Sequence, residues 1–128
     1  YRTIGLSKQV INLLNTLPRT SKYIFPSERS TTGHISTFDN NYKKIINPKE
    51  EHSIHGFRSS ARTIIHSSLR ENPDVIESAL GHRVPDRLGD TYNKNTWLPE
   101  KIEMCQKWSD YIDEIKKQAQ RLEVVGND

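Results

Sequence analysis

Cysteine is almost missing from this chain. One thiol, Cys105, in 128 residues excludes an internal disulfide and removes any need for an oxidising compartment, so an intracellular, cytoplasmic protein is expected. Long hydrophobic runs are missing too, and with them a membrane partner, because a spanning helix needs about 20 apolar residues in succession. The six glycines form no phosphate-binding loop, and no repeat or low-complexity tract is present. The opening Tyr1-Arg2-Thr3-Ile4 has neither an initiator Met nor a signal-peptide pattern and reads as the interior of a longer polypeptide. Hydrophobic content is low at 33%, with a mean hydropathy of −0.79. Two Trp, five Tyr and periodic aliphatic groups nevertheless argue for one folded domain with a polar surface.

Charge is unevenly spread. Residues 1 to 72 hold 11 Lys and Arg against 5 Asp and Glu, whereas residues 73 to 128 hold 8 against 11, so a net +3 divides into +6 and −3. A basic half suits a phosphate-bearing partner through counterion release, and nucleic acid is one of several such partners.

The pattern of apolar positions predicts a mainly helical fold with a short β segment at the N-terminus, at Tyr1 to Leu6. Ser7 is a cap for a helix over roughly residues 8 to 17, carrying Val10, Ile11, Leu13, Leu14 and Leu17 and stopped by Pro18. Tyr23 to Pro26 is expected as a brief buried segment before a polar loop to Gly33. A second helix from Ser36 or Thr37 would share Phe38, Tyr42, Ile45 and Ile46 on one face, leaving Lys43 and Lys44 on another. A third begins near Gly56, with Phe57, Ala61, Ile64 and Ile65 inward and Arg58 and Arg62 one turn apart on a separate stripe. Asn72-Pro73 starts a fourth and Gly81 closes it, with Val75, Ile76, Ala79 and Leu80 inward. After a loop through Pro85 to Asp90, a long C-terminal helix over about 98–122 carries Leu98, Ile102, Cys105, Trp108, Ile112, Ile115, Ala119 and Leu122. Its distal part either covers this core or docks on a neighbouring molecule.

Four residues carry the chemistry. His55-Gly56-Phe57-Arg58 sets an imidazole three positions before a guanidinium, Leu80-Gly81-His82 adds a second imidazole, and Tyr92 follows ten residues later. Breaking a DNA phosphodiester with a phenol requires stabilising the negative charge that grows on the non-bridging oxygens, which the planar, permanently charged fork of Arg58 suits. Amide donors at the start of the helix near His55 add to that. A phenol with a free pKa of about 10 needs a base or a strong local field, and either imidazole, His55 or His82, can accept a proton or donate to phosphate. Singly, each piece has a plainer reading: a packed tyrosine, a solvated arginine, a histidine bonding the last carbonyls of a helix. The ordered set is more specific than its members.

That set, together with the wording His55 to Thr63, Asp74-Val75-Ile76-Glu77, Asp90-Thr91-Tyr92-Asn93 and Trp108-Ser109-Asp110-Tyr111-Ile112, resembles the C-terminal catalytic domain of the tyrosine recombinases, and most closely the integrases of phages and integrative elements. The resemblance covers nearly the whole chain. It implies a helical DNA breaking-rejoining domain, of which residues 1–128 are the C-terminal part, acting in bacterial cytoplasm in site-specific integration or excision. By the same resemblance His55 handles the proton, His82 contacts phosphate, and Tyr92 becomes joined to the 3′ phosphate, leaving a 5′ hydroxyl. The phosphotyrosine conserves the energy of the broken bond, so no nucleotide cofactor and no metal is implied. The partners implied are double-stranded DNA attachment sites and further subunits in a homotetramer on that DNA; on their basic faces Lys43, Lys44 and Arg62 are expected as DNA contacts, and docking of the C-terminal helix between subunits is the alternative to its covering this core. The family also uses an earlier arginine and a hairpin lysine, both of which would precede residue 1. Neither Arg2 nor Lys8 stands in the right element to replace them, so the chain alone is expected to be impaired in cleavage.

Two other readings compete. His52 and His55, one turn apart among five histidines, would suit a His-ligated metal-dependent hydrolase, although no carboxylate or cysteine completes an evident set. A non-catalytic DNA-binding module would use the same basic faces without breaking the duplex.

Overall fold

The computed structural model describes residues 3–38, 42, 53–82 and 97–125. Among them the chain is mainly helical, with α1 (Lys8–Asn15), α2 (Ile54–Ser67), α3 (Pro73–Leu80) and α4 (Leu98–Val125). Each of the first three helices starts where a side chain can satisfy a free amide. Ser7 Oγ accepts from Val10 N at 3.3 Å, Ser53 Oγ from Gly56 N at 3.0 Å, and Asn72 Oδ1 from Asp74 N at 2.9 Å. Pro73 occupies the first turn of α3, where its missing N–H costs nothing. At the end of α1 the amides of Thr16 and Leu17 bond three residues back, to Leu13 and Leu14, which tightens the last turn ahead of Pro18.

The core lies where α2, α3 and α4 meet. Ile65, Val75, Ile76 and Met104 are buried there, Ile76 down to 2% exposure, with Ala61, Leu69, Ala79, Leu80, Trp97, Cys105 and Trp108 packed around them. The inward face of α4 begins with Lys101 and Met104, both buried, while Ile102 points outward. That is a rotation from the expected stripe. Trp97, in a left-handed conformation at φ +46°, precedes the first turn and its carbonyl accepts from the Lys101 amide at 2.8 Å, and Lys101 is buried at 5% exposure where an aliphatic residue is expected.

Polar contacts join α1 to α4. Ser109 Oγ donates to the buried Ser7 Oγ at 2.7 Å. Gln9 Nε2 donates to Asp110 at 2.7 Å and Asp113 at 3.0 Å, and Gln106 Nε2 donates to Gln9 Oε1 at 3.0 Å. Gly5 lies directly on the α4 backbone at Lys101.

Several expectations are corrected. The short β segment at the N-terminus does not form among the described residues: 3–7 pair with no strand there, and the isolated bridge seen in this part of the chain joins Pro26 to His34. A strand exists only as part of a ladder, and the described neighbour of this segment is the helix α4. Tyr23 to Pro26 is not buried. Ile24 is 58% exposed, while Phe25 packs edge-on against Phe38 at 5.3 Å and Tyr23 tilts against His34, a local aromatic cluster outside the core. The apolar stripe of α1 is only partly covered among the described residues: Leu14 and Leu17 are half-buried, while Val10, Ile11 and Leu13 are exposed, Leu13 to 65%. Phe57 meets the Tyr42 ring edge-on at 5.6 Å instead of entering the core. The second expected helix lies outside the described residues apart from Phe38 and Tyr42, whose i to i−4 backbone bond is 2.9 Å.

Candidate catalytic cluster at the end of α3

α2 carries Arg58 and Arg62 one turn apart, so both guanidinium groups reach the same neighbour, the C-terminal end of α3. That end is closed by Gly81 in the left-handed conformation, φ +80° and ψ +22°. The Gly81 amide donates to Ser78 O at 3.1 Å and the His82 amide to Glu77 O at 2.9 Å. This paired closure turns the chain back over its last turn and sets His82 beside Glu77.

Helix termination leaves the Leu80 carbonyl without an intrahelical partner, and Arg58 Nη2 donates to it at 2.5 Å. The same Nη2 lies 3.1 Å from His82 Nε2. A guanidinium has only donors, so Nε2 is the acceptor and the imidazole proton resides on Nδ1. Nδ1 in turn donates to Glu77 Oε2, and Arg62 Nε donates to Glu77 Oε1 at 2.6 Å. Arg58, His82, Glu77 and Arg62 thus form one continuous chain of charge-assisted contacts. The His82 hydrogen bond first, and then that from Arg62, holds the Glu77 carboxyl below the usual carboxylate range. Arg62 and His82 remain half-exposed while Glu77 is more enclosed, which leaves the imidazole and guanidinium side open to a ligand from solvent.

Of the residues singled out in the sequence, Arg58 and His82 are therefore brought into contact, and His55 stands one turn before Arg58 on α2, exposed. Arg62, expected as a DNA contact, is engaged with Glu77. Tyr92, Lys43, Lys44 and His52 lie outside the described residues. Among the described residues no three His, Cys, Asp or Glu side chains come together as a metal-binding group, and no helix is long and apolar enough to cross a membrane. Glu77 joins the cluster although residue spacing alone does not pick it out. A local signal for it exists nonetheless: a helix closed by a left-handed glycine brings the residue after that glycine next to the one five positions earlier.

No protein-family model and no solved structure matches this chain. Curated relatives do. The integrase of Enterobacteria phage P4 is 29% identical over 97% of this chain and 30% of its own length. The prophage integrase IntZ of Escherichia coli K12 is 30% identical over 88% of this chain and 28% of its own length. The integrase of Shigella phage Sf6 is 31% identical over 87% of this chain and 30% of its own length. The chain thus spans about 30% of the length of these proteins. Similarity of this order across nearly all of a mainly helical chain supports its assignment to the integrase family.

Proposed function

We propose that this chain is the phosphate-binding and nucleophile-bearing part of a tyrosine-type site-specific recombinase that integrates or excises mobile DNA. The observation that carries the reading is the contact of Arg58 with His82, 24 positions apart in sequence, at a helix end open to solvent. A guanidinium and an imidazole side by side suit the two non-bridging oxygens of a phosphodiester, where charge grows during attack. In the proposed reaction the Tyr92 hydroxyl gives up its proton, His55 on α2 being the proton-handling group in this reading, and its oxygen attacks phosphorus. The P–O5′ bond breaks, the 5′ oxygen leaves as a hydroxyl after protonation, and a 3′-phosphotyrosyl bond remains for the reverse step. Neither a metal nor a nucleotide is required for this exchange.

The partners proposed with it are double-stranded DNA attachment sites, met by Lys43 and Lys44, and further copies of the complete protein in a homotetramer on that DNA. Docking of the C-terminal helix between subunits is supported by the distal part of α4, where Ile115 is exposed and Leu122 is 74% exposed. A bacterial, DNA-associated protein of the cytoplasm fits this role. The chain alone is proposed to be impaired in cleavage, its phosphate cluster holding one of the two arginines that the family employs.

Covalent trapping on a nicked DNA site tests the function. A protein extended to include the upstream residues is expected to give an adduct that Tyr92→Phe abolishes while DNA affinity is retained, and the chain alone is expected to give much less. DNA binding with no adduct in any form would point to a non-catalytic binding module, and adduct formation that survives Tyr92→Phe would exclude Tyr92 as the nucleophile.

A further inference from the structure

The chain of contacts does not end at the two groups that the proposed function uses. Glu77 sits behind His82 on the side away from Arg58, and its two oxygens are divided between partners: Oε2 accepts from His82 Nδ1, Oε1 from Arg62 Nε at 2.6 Å. Three features of the fold hold it there. It lies on the last turn of α3, the Gly81 turn fixes the His82 backbone through the 2.9 Å bond to the Glu77 carbonyl, and Arg62 approaches from α2. Ring and carboxylate are thus held twice, once through the backbone and once through the side chains.

Resting on the recombinase reading, we propose that Glu77 is a positioning residue: it holds the His82 imidazole as the Nδ1–H form, so that Nε2 is aimed at Arg58 and at the phosphate oxygen that Arg58 would bind. A histidine free of such a partner can rotate about its side-chain bonds and exchange the proton between its two nitrogens. A carboxylate on Nδ1 removes both freedoms, as it does for metal-ligating and catalytic histidines in general. The arrangement also determines how His82 meets phosphate. Nε2, as an acceptor toward Arg58, cannot bond a phosphate oxygen until it gains a proton from solvent.

Two measurements decide this. Nitrogen-15 spectra of the His82 ring in the protein show which nitrogen carries the proton in the neutral form. Wild type is expected to show Nδ1–H; a neutral ring protonated mainly at Nε2 overturns the proposal, and this arm does not depend on any variant folding. Glu77→Ala is expected to shift the ring toward Nε2–H, whereas Arg62→Ala, which removes the other partner of the carboxylate, is expected to leave Nδ1–H in place. An equal shift in both variants would mean that the cluster matters only for local packing. The second measurement is covalent trapping in the protein extended upstream, with Glu77→Ala, His82→Ala and the double variant. If Glu77 acts through His82, its removal lowers the trapping rate by roughly 10- to 100-fold in the wild-type background and by little once His82 is gone. Additive losses overturn the positioning role. Trapping that fails even in wild type sinks the recombinase reading instead, and the ring spectra then judge the action of Glu77 on His82 by themselves.

Discussion

Gly5 rests on the backbone of Lys101 so closely that a methyl group in place of its hydrogen would stand 2.5 Å from the Lys101 carbonyl oxygen and 2.7 Å from the Ile102 nitrogen. The obstacle is backbone within α4, which cannot swing aside as a side-chain end would. Gly5→Ala is therefore expected to separate the N-terminal segment from α4 and to destabilise the protein by about 1–3 kcal/mol, the usual cost of overpacking. Urea denaturation reads the change, and an unaltered midpoint would show that residues 3–7 do not hold this position in solution.

The shared core makes a second expectation. Ile76, at 2% exposure, lies among Ile65, Val75 and Met104 where three helices meet. Ile76→Ala removes three carbon atoms from a site with little room to collapse, for an expected loss of roughly 2–5 kcal/mol. A loss below about 1 kcal/mol would be within the range of exposed positions and would argue against this packing.

Acid should weaken the cluster at the end of α3. The Glu77 carboxyl is held below its ordinary value of 4.5, by His82 first and Arg62 second. A carboxyl depressed in the folded state contributes stability that is fully present above the unfolded value and is lost as pH falls through the folded one. Thermal unfolding followed by circular dichroism should therefore show a contribution that is intact above pH 4.5 and fades below it, and Glu77→Gln should flatten that acid limb. Asp110, lowered from 3.8 by the Gln9 and Gln106 hydrogen bonds, acts in the same direction at still lower pH. The two are separable, since Gln9→Ala should affect only the second.

Replacing Arg58 by Lys keeps the charge and loses the fork. An ammonium has three donors on one atom but no second nitrogen to reach a phosphate while the first stays with the Leu80 carbonyl and His82 Nε2, so trapping on nicked DNA should fall by roughly 100-fold or more in the extended protein. DNA affinity should change far less, because most of it comes from phosphates elsewhere along the duplex. Trapping that survives the substitution would show that charge alone suffices at this position.

Lys43 and Lys44 provide a test in salt. If both meet phosphates, replacing them with alanine should reduce the slope of log affinity against log salt by about 0.9 for each phosphate that is no longer neutralised. An unchanged slope would assign them to solvent.

Much of the helical frame is legible in the sequence, and the reasons are local. Ser7, Asn72-Pro73 and Gly81 each answer a need of the backbone at a helix end, so α1 and α3 begin or end where those residues stand. The shared stripe of Arg58 and Arg62 follows from helical geometry alone. What is not legible depends on what stands opposite. An apolar stripe on α1 shows which face is apolar, and Leu13 remains exposed because the contacts to α4 are made by Ser7, Lys8 and Gln9. The buried face of α4 differs from expectation at Lys101 and Met104, since a periodic reading discards a lysine whose stem can be buried. Glu77 escapes a periodic reading for a related reason. Its partner His82 lies across a left-handed turn, where the helical period no longer says which residues meet.

The Gly81 closure also turns sequence spacing into a mechanical dimension. The interval from Glu77 to His82 is measured out by one helical turn and one glycine, so its length sets the compass bearing of the imidazole. One residue inserted within that turn would rotate everything after it by about 100° around the α3 axis, carrying the ring away from both guanidinium groups without altering a single side chain of the cluster.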